Sequence, residues 1–180
     1  MVTTTGPERV ARAWAVLETV LDPEVPALSI CDLGIVRDVV LGRGEEGLEI
    51  VLTPTYSGCP ATEVIEQNAL EALSAAGLGP ATVRLQRAPA WSSDWISEAG
   101  RRKLTDYGIA PPGPAVDTGF VPLRFVARSR QTAAPSAAQP ACPRCASGNT
   151  ELLSAFGSTA CKALYRCRAC REPFEYFKPI

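Results

Sequence analysis

Seven cysteines and no histidine set the chemistry open to this chain of 180 residues. Without imidazole there is no Ser-His-Asp or Cys-His nucleophile system, and a metal must be held by thiolates or oxygen donors. Five cysteines, Cys142, Cys145, Cys161, Cys167 and Cys170, fall in residues 142–180. Cys142-Pro-Arg-Cys145 and Cys167-Arg-Ala-Cys170 are C-x2-C turns, each able to aim two thiolates at one ion. Together they complete a tetrahedral four-sulfur site, with zinc the usual occupant and a single iron the alternative. Two disulfides are the competing reading, against which stand the odd cysteine total and the lack of a signal sequence. A tail of about 40 residues is too small to be held by core burial alone, whereas structural zinc contributes roughly 10–16 kcal/mol to such modules. The predicted role of that metal is structural. Cys161 is a surplus thiol that spacing does not place, and neither is a role for Cys31 legible.

Cys59 is the second centre of interest. It lies in Ser57-Gly-Cys-Pro60, after one apolar alternating stretch and at the start of a helical one. A helix N-terminus offers unpaired N–H groups and partial positive charge, which favour a thiolate. Gly58 is read as allowing close backbone approach, and Pro60 as opening the helix. Such a thiolate can ligate a soft metal or attack an electrophile. A buried cysteine serving as a small hydrophobe is the alternative, and the local residues leave both open. Asp22, Glu24 and Asp32 are candidates to share a cleft with Cys59, against a plain role as turn and cap residues.

These residues need elements to position them, and the pattern predicts an α+β fold. Val10, Trp14, Leu17 and Val20/Leu21 form a helical stripe stopped by Asp22-Pro23. Ile35–Leu41 and Leu48–Leu52 read as strands around the Gly42–Gly47 turn, and a helix running from Ala61 ends at Gly77. Val83 and Leu85 mark a third strand, completing a small α-β-β-α-β domain. A helical extension over Asp94–Tyr107 follows, with Trp91 and Trp95 either capping the core or docking a partner. Leu152–Phe156 and Phe174–Phe177 are the expected strands of a C-terminal zinc ribbon. The predicted boundaries are 7–110 for the α+β domain with its extension, 111–140 for an extended segment and Pro/Ala linker, and 141–180 for the ribbon. Gln131–Pro140 reads as a tether that lets the ribbon stand up to about 30 Å away as a separate folding unit.

Composition closes other classes. The 46% hydrophobic and 21% charged content is that of a globular chain. No apolar run reaches membrane-spanning length, and Met1–Glu8 lacks the basic and apolar regions of a secretory signal, so a cytoplasmic location is expected. Residues 1–88 hold twelve acidic against six basic side chains, which would repel phosphates. Arg144, Lys162, Arg166, Arg168 and Arg171 give the ribbon some positive charge, yet the balance argues against nucleic acid.

Leu21-Asp-Pro-Glu-Val-Pro26, Asp32-Leu-Gly-Ile-Val36 and Thr53-Pro-Thr-Tyr-Ser-Gly-Cys-Pro60 resemble the iron–sulfur assembly domain of SufT-type factors. With Phe156-Gly-Ser-Thr-Ala-Cys-Lys-Ala-Leu164 and Cys170-Arg-Glu-Pro-Phe174 added, the chain is similar to the D-subunit family of phenylacetyl-CoA epoxidase (ring-1,2-oxygenase) systems. The resemblance implies an accessory or maturation factor of aerobic phenylacetate catabolism that assists iron–sulfur or iron-centre assembly, with a transient iron or cluster beside its structural zinc. It implies partners among the other subunits, the di-iron oxygenase and the iron–sulfur flavin reductase. It raises the functional reading of Cys59, with Asp22, Glu24 and Asp32 as companions. The absence of histidine agrees, since no Glu-x-x-His di-iron motif can be built and no catalytic activity is expected of this polypeptide alone. The alternative is a non-catalytic structural subunit bridging oxygenase and reductase.

Overall fold

The structure, a computed structural model, describes residues 5–42, 47–56, 58–115 and 139–180. Most of the expected linker, residues 116–138, and the tip of the Gly42–Gly47 turn lie outside the described residues. Helix α1 runs over Gly6–Leu17, with Pro7 in its first turn and the Thr5 N–H donating to the Glu8 carboxylate at 2.9 Å. It ends before Val20 and Leu21, earlier than the apolar stripe predicts. Leu21 instead bridges Ser29, and Asp22 accepts the Glu24 and Val25 N–H groups at 2.9 and 2.7 Å, a local turn that competes with helix.

Strands β1 (Val36–Leu41) and β2 (Leu48–Leu52) pair antiparallel across the turn. Helix α2 (Ala61–Ala75) then crosses over so that β3 (Ala81–Leu85) lies parallel to β2. Parallel pairing requires such a crossover, and here the helix supplies it. Its buried Ala61, Ile65, Ala69 and Leu73 recur every fourth residue, and Ala13 and Leu17 of α1 join the same core.

A 3-10 turn (Ser93–Trp95) and helix α3 (Glu98–Tyr107) form the extension, the latter capped by the Ser97 hydroxyl on the Gly100 N–H and ended by left-handed Gly108. The helix begins four residues later than expected, because Ser92 caps the 3-10 turn and breaks the run. Trp91 is buried and donates its indole N–H to the Leu33 carbonyl at 3.0 Å, which makes it a core residue. Trp95 lies under the Arg37 guanidinium, 3.6 Å from Cζ to the ring centroid.

The ribbon contains β5 (Thr150–Ser154), β6 (Lys162–Cys167) and β7 (Pro173–Phe177). Strand β6 is absent from the sequence expectation. Its Lys162 and Arg166 interrupt an apolar pattern that is otherwise that of a strand. The larger difference is in placement. A short strand of the extension, β4 (Ile109–Ala110), pairs parallel with β7, giving one sheet ordered β4-β7-β6-β5. Phe177 and Cys161 sit in the same core as α1, α2 and the first sheet, and Phe177 packs on Trp91 at 6.0 Å between centroids. Ser93 and Ile180 add backbone and hydroxyl hydrogen bonds. The ribbon is docked on the head, not held away from it by a tether, because its last strand completes the head's core.

Candidate metal centre and thiol pocket

Two cysteine sites with different geometry emerge. In the ribbon, the Sγ atoms of Cys142, Cys145, Cys167 and Cys170 all lie within 4.8 Å of one another. Cys142–Cys170 and Cys145–Cys167 are 3.7 and 3.6 Å apart. A tetrahedron with zinc–sulfur bonds of about 2.3 Å has edges of about 3.8 Å, so the four sulfurs fit that metal. Each turn is built the same way. Ala146 and Arg171, the residues after each second cysteine, take left-handed φ values of 58° and 68°. The Cys142 N–H then reaches the Ser147 carbonyl at 2.9 Å, and the Cys167 N–H reaches the Glu172 carbonyl at 3.0 Å. The Cys170 N–H donates to the Cys167 sulfur at 3.5 Å. Among the described residues this is the set of three or more metal-ligating side chains drawn this tightly together.

The second site lies where the ribbon meets the head. Asp22, Glu24, Cys59 and Cys161 line one pocket, floored by Val25, Leu33, Ile35, Ile65 and Phe177. The cavity there is about 20 Å³, room for a single water or ion. Cys59 sits one residue before Pro60, the N-cap of α2, and its carbonyl accepts from the Thr62 N–H at 3.2 Å. Gly58 takes φ +85° with open space where a Cβ would be, so it serves the turn and not a close approach. The Tyr56 phenol is held in its neutral form, pushed up to about 12 by desolvation and then by the neighbouring Cys59 sulfur.

The two carboxylates are uncomfortable there. Burial pushes the Asp22 carboxyl above its usual range, against the pull of its Val25 and Glu24 N–H bonds and the Lys162 charge. Glu24 is raised by burial and by the adjacent Asp22. Lys162 is itself buried and engaged by Glu175 at 3.0 Å, so it is not part of a surface cationic patch. Arg168 pairs with Glu151 at 2.8 Å, and Arg166 pairs with the same carboxylate.

Asp32 is not brought to this pocket. It lines a separate hollow with Glu18, Cys31 and Lys103. Its carboxylate accepts from Ser29 N–H and Oγ at 3.1 and 3.0 Å, from Ser97 Oγ at 3.2 Å and from Lys103 Nζ at 2.6 Å. Burial opposes its charge, but the Lys103 and Ser29 donors outweigh burial and hold the carboxyl below its usual range. The next residues also serve packing. A Cβ on Gly34 would meet the Trp95 carbonyl at 2.6 Å, and one on Gly100 would meet the Asp32 carbonyl at 2.9 Å. Asp32-Leu-Gly34 is therefore the anchor of the extension. Cys31 in the same hollow is pushed up to about 12 by desolvation and by Glu18 and Asp32, which leaves it an unreactive thiol.

Sequence reasoning missed the arrival of Cys161 in the Cys59 pocket. Its two nearest ribbon neighbours in the chain, Ala160 and Lys162, give no hint of a site. The usable signal was its failure to fit the C-x2-C spacing.

Among the described residues no helix is long and apolar enough to cross a membrane. Residues 11–84 match the family model described as iron–sulfur cluster assembly protein, and residues 127–178 match the one described as PaaD zinc beta ribbon domain. A domain of unknown function, DUF59, from Bacillus anthracis is similar at 28% identity and TM-score 0.51, over 55% of this chain and 93% of that one. A conserved hypothetical protein from Thermotoga maritima aligns at 28% identity and TM-score 0.45, over 58% and 98%. A protein of Escherichia coli (strain K12), named as the D subunit of 1,2-phenylacetyl-CoA epoxidase, is 46% identical over 177 residues, 98% of this chain and 97% of its own. With an iron–sulfur assembly domain, a four-cysteine ribbon and that likeness over nearly its whole length, the chain belongs to the D-subunit family of phenylacetyl-CoA epoxidases.

Proposed function

We propose that this chain is a cytoplasmic accessory factor that helps assemble the iron or iron–sulfur centres of a phenylacetyl-CoA epoxidase. Its clients are the di-iron oxygenase or the iron–sulfur flavin reductase. The four-sulfur ribbon site holds structural zinc: it is closed, so every ligand is spoken for. The Cys59 pocket has the opposite character. Two thiols, Cys59 and Cys161, and two carboxylates line a space the size of an ion, and burial disfavours the charge on both carboxylates. The gathering of thiols and carboxylates around one small pocket carries the reading, and the burial of Asp22 supports it. Asp22 and Glu24 supply hard oxygen and negative charge, and Cys59 supplies the soft ligand. An open set of this kind binds and lets go, as a transfer step requires.

The deciding experiment compares epoxidase components produced with wild-type chain, with Cys59→Ala, and without the chain. Cys59→Ala removes one sulfur, so a stability loss of about 1 kcal/mol is the ordinary expectation. Cluster content of the reductase and iron content of the oxygenase should fall to the level found without the chain. Full metal loading with Cys59→Ala would refute the reading. The isolated chain should leave phenylacetyl-CoA unchanged in the presence of oxygen and reductant.

A further inference from the structure

Cys161 has no place in the ribbon's four-sulfur set, yet the ribbon fixes it firmly. Its carbonyl accepts from the Lys178 N–H at 2.9 Å, and its sulfur meets Thr159 Oγ1 at 3.0 Å. The turn that carries it is locked from both sides. The Gly157 N–H donates to the Lys162 carbonyl at 2.8 Å, and Glu175 receives both the Ser158 N–H and the Lys162 ammonium. Phe177, at the end of β7, joins Cys161 in the head's core and so seats this turn there. The outcome is a buried thiol carried by the ribbon into the pocket that Cys59 lines from the head.

We infer that the pocket is a dithiol site split between the two modules, in which Cys161 is the second soft ligand for the thiophilic cation, ferrous iron or the edge of a cluster, that Cys59 receives. The inference rests on the reading given under Proposed function and extends it: the head alone has half the soft ligand set, and docking of the ribbon completes it. A simple filler role does not account for the surroundings, since a packing cysteine has no use for the buried Asp22 carboxylate and the half-buried Glu24 lining the same small space. Binding is a ligand exchange without redox change. Each thiol forms one sulfur–metal bond in place of one bond from the cation to water, and releases one proton to water, while Asp22 and Glu24 keep their charge for the cation. Departure of the cation reverses both steps. Before loading, burial and Glu24 keep Cys161 protonated, so the site is not a standing anion trap and takes up metal with proton release.

The test uses the full, zinc-loaded chain without oxygen. Phenylarsine oxide joins two neighbouring thiols with loss of one water, and peptide mapping of the wild-type adduct should find Cys59 linked to Cys161. This measurement needs no variant and so survives any folding defect. Cadmium(II) titration, with zinc retention checked in parallel, should then show at least about tenfold weaker binding at the pocket for both Cys59→Ser and Cys161→Ser, with one sulfur–cadmium charge-transfer contribution lost in each. No Cys59–Cys161 adduct, together with unaltered cadmium binding in Cys161→Ser and weakened binding in Cys59→Ser, would overturn the dithiol while leaving Cys59 as the receiving ligand. Unaltered binding and unaltered client loading in Cys59→Ser would instead remove the reading beneath it.

Discussion

Removing the ribbon's metal should destabilise the head, and the structure gives the size of the effect. Cys145→Ser takes one ligand from a site whose metal contributes roughly 10–16 kcal/mol in small modules, so the ribbon unfolds. With it goes Phe177, fully buried against Trp91. Burying one such side chain is worth about 1.5–3 kcal/mol, and an aromatic pair adds about 0.5–1.5 kcal/mol. The hydrogen bonds between Ser93 and Ile180 contribute about 1 kcal/mol each net. The head therefore loses on the order of 4–6 kcal/mol, a large share of the roughly 5–15 kcal/mol typical of a domain. At about 4 °C per kcal/mol for a domain of this size, its midpoint should fall by about 16 °C or more. Thermal unfolding followed by far-UV circular dichroism, with Trp91 emission as a local probe, reads both modules. Chelation of the wild-type protein should reproduce the shift. A head transition at its original temperature after the metal is lost would show the modules to be independent and the docked sheet energetically idle.

Other outcomes follow from the same contacts. Lys162→Met leaves Glu175 partly buried without its ammonium and should cost about 3 kcal/mol, while the double change with Glu175→Gln should recover part of it, measured by urea denaturation. Ala146→Gly and Arg171→Gly, each relieving a left-handed φ, should stabilise the metal-loaded ribbon by about 1 kcal/mol apiece, read from chelator resistance. The pH profile has two opposed limbs. Asp32 and Glu175 are held low, so their contribution is present above the ordinary carboxylate range and is lost as pH falls through their folded values. Asp22 is held high, so its contribution is complete below that range and is lost as pH rises through its folded value. Asp22→Asn keeps the oxygen that accepts the Val25 and Glu24 N–H groups. It should equal or exceed wild-type stability at pH 7 while weakening cation binding; a clear destabilisation at pH 7 would make Asp22 a purely structural turn residue.

Local patterns carried most of the fold. The period of Ala61, Ile65, Ala69 and Leu73 is a helix wherever it is met, and the alternation of Leu48, Ile50 and Leu52 is a strand. The places where reading failed are places where long-range contacts decide. Helix α1 stops at Leu17 because Asp22 rewards a turn downstream, an energy no helical stripe reports. Strand β4 is two residues long and exists because β7 lies beside it. Nothing in Ile109-Ala110 distinguishes it from any apolar pair. The Pro/Ala-rich stretch measures how far the ribbon can reach and says nothing of where it binds. Phe177 settles that, and its value depends on Trp91, far away in sequence and 6.0 Å away in space.

The site divides along the same line. A closed metal site is written in spacing, because two short turns must each present a pair of sulfurs; Cys142, Cys145, Cys167 and Cys170 needed no tertiary knowledge. The Cys59 pocket is written in cost. Asp22 and Asp32 look alike in sequence, both acidic and both at turns, and the fold treats them in opposite ways. Asp32 is supplied with serine donors and a lysine, and its charge strengthens the anchor of the extension. Asp22 receives two backbone N–H groups, then is buried beside Glu24 with a lysine already committed to Glu175. In the proposed role, a carboxylate whose charge burial disfavours is stabilised by an entering cation, and the thiols lining the same space favour a soft one. What separates the anchoring Asp32 from the proposed ligand Asp22 is the balance of donors around each, which only the assembled head and ribbon set.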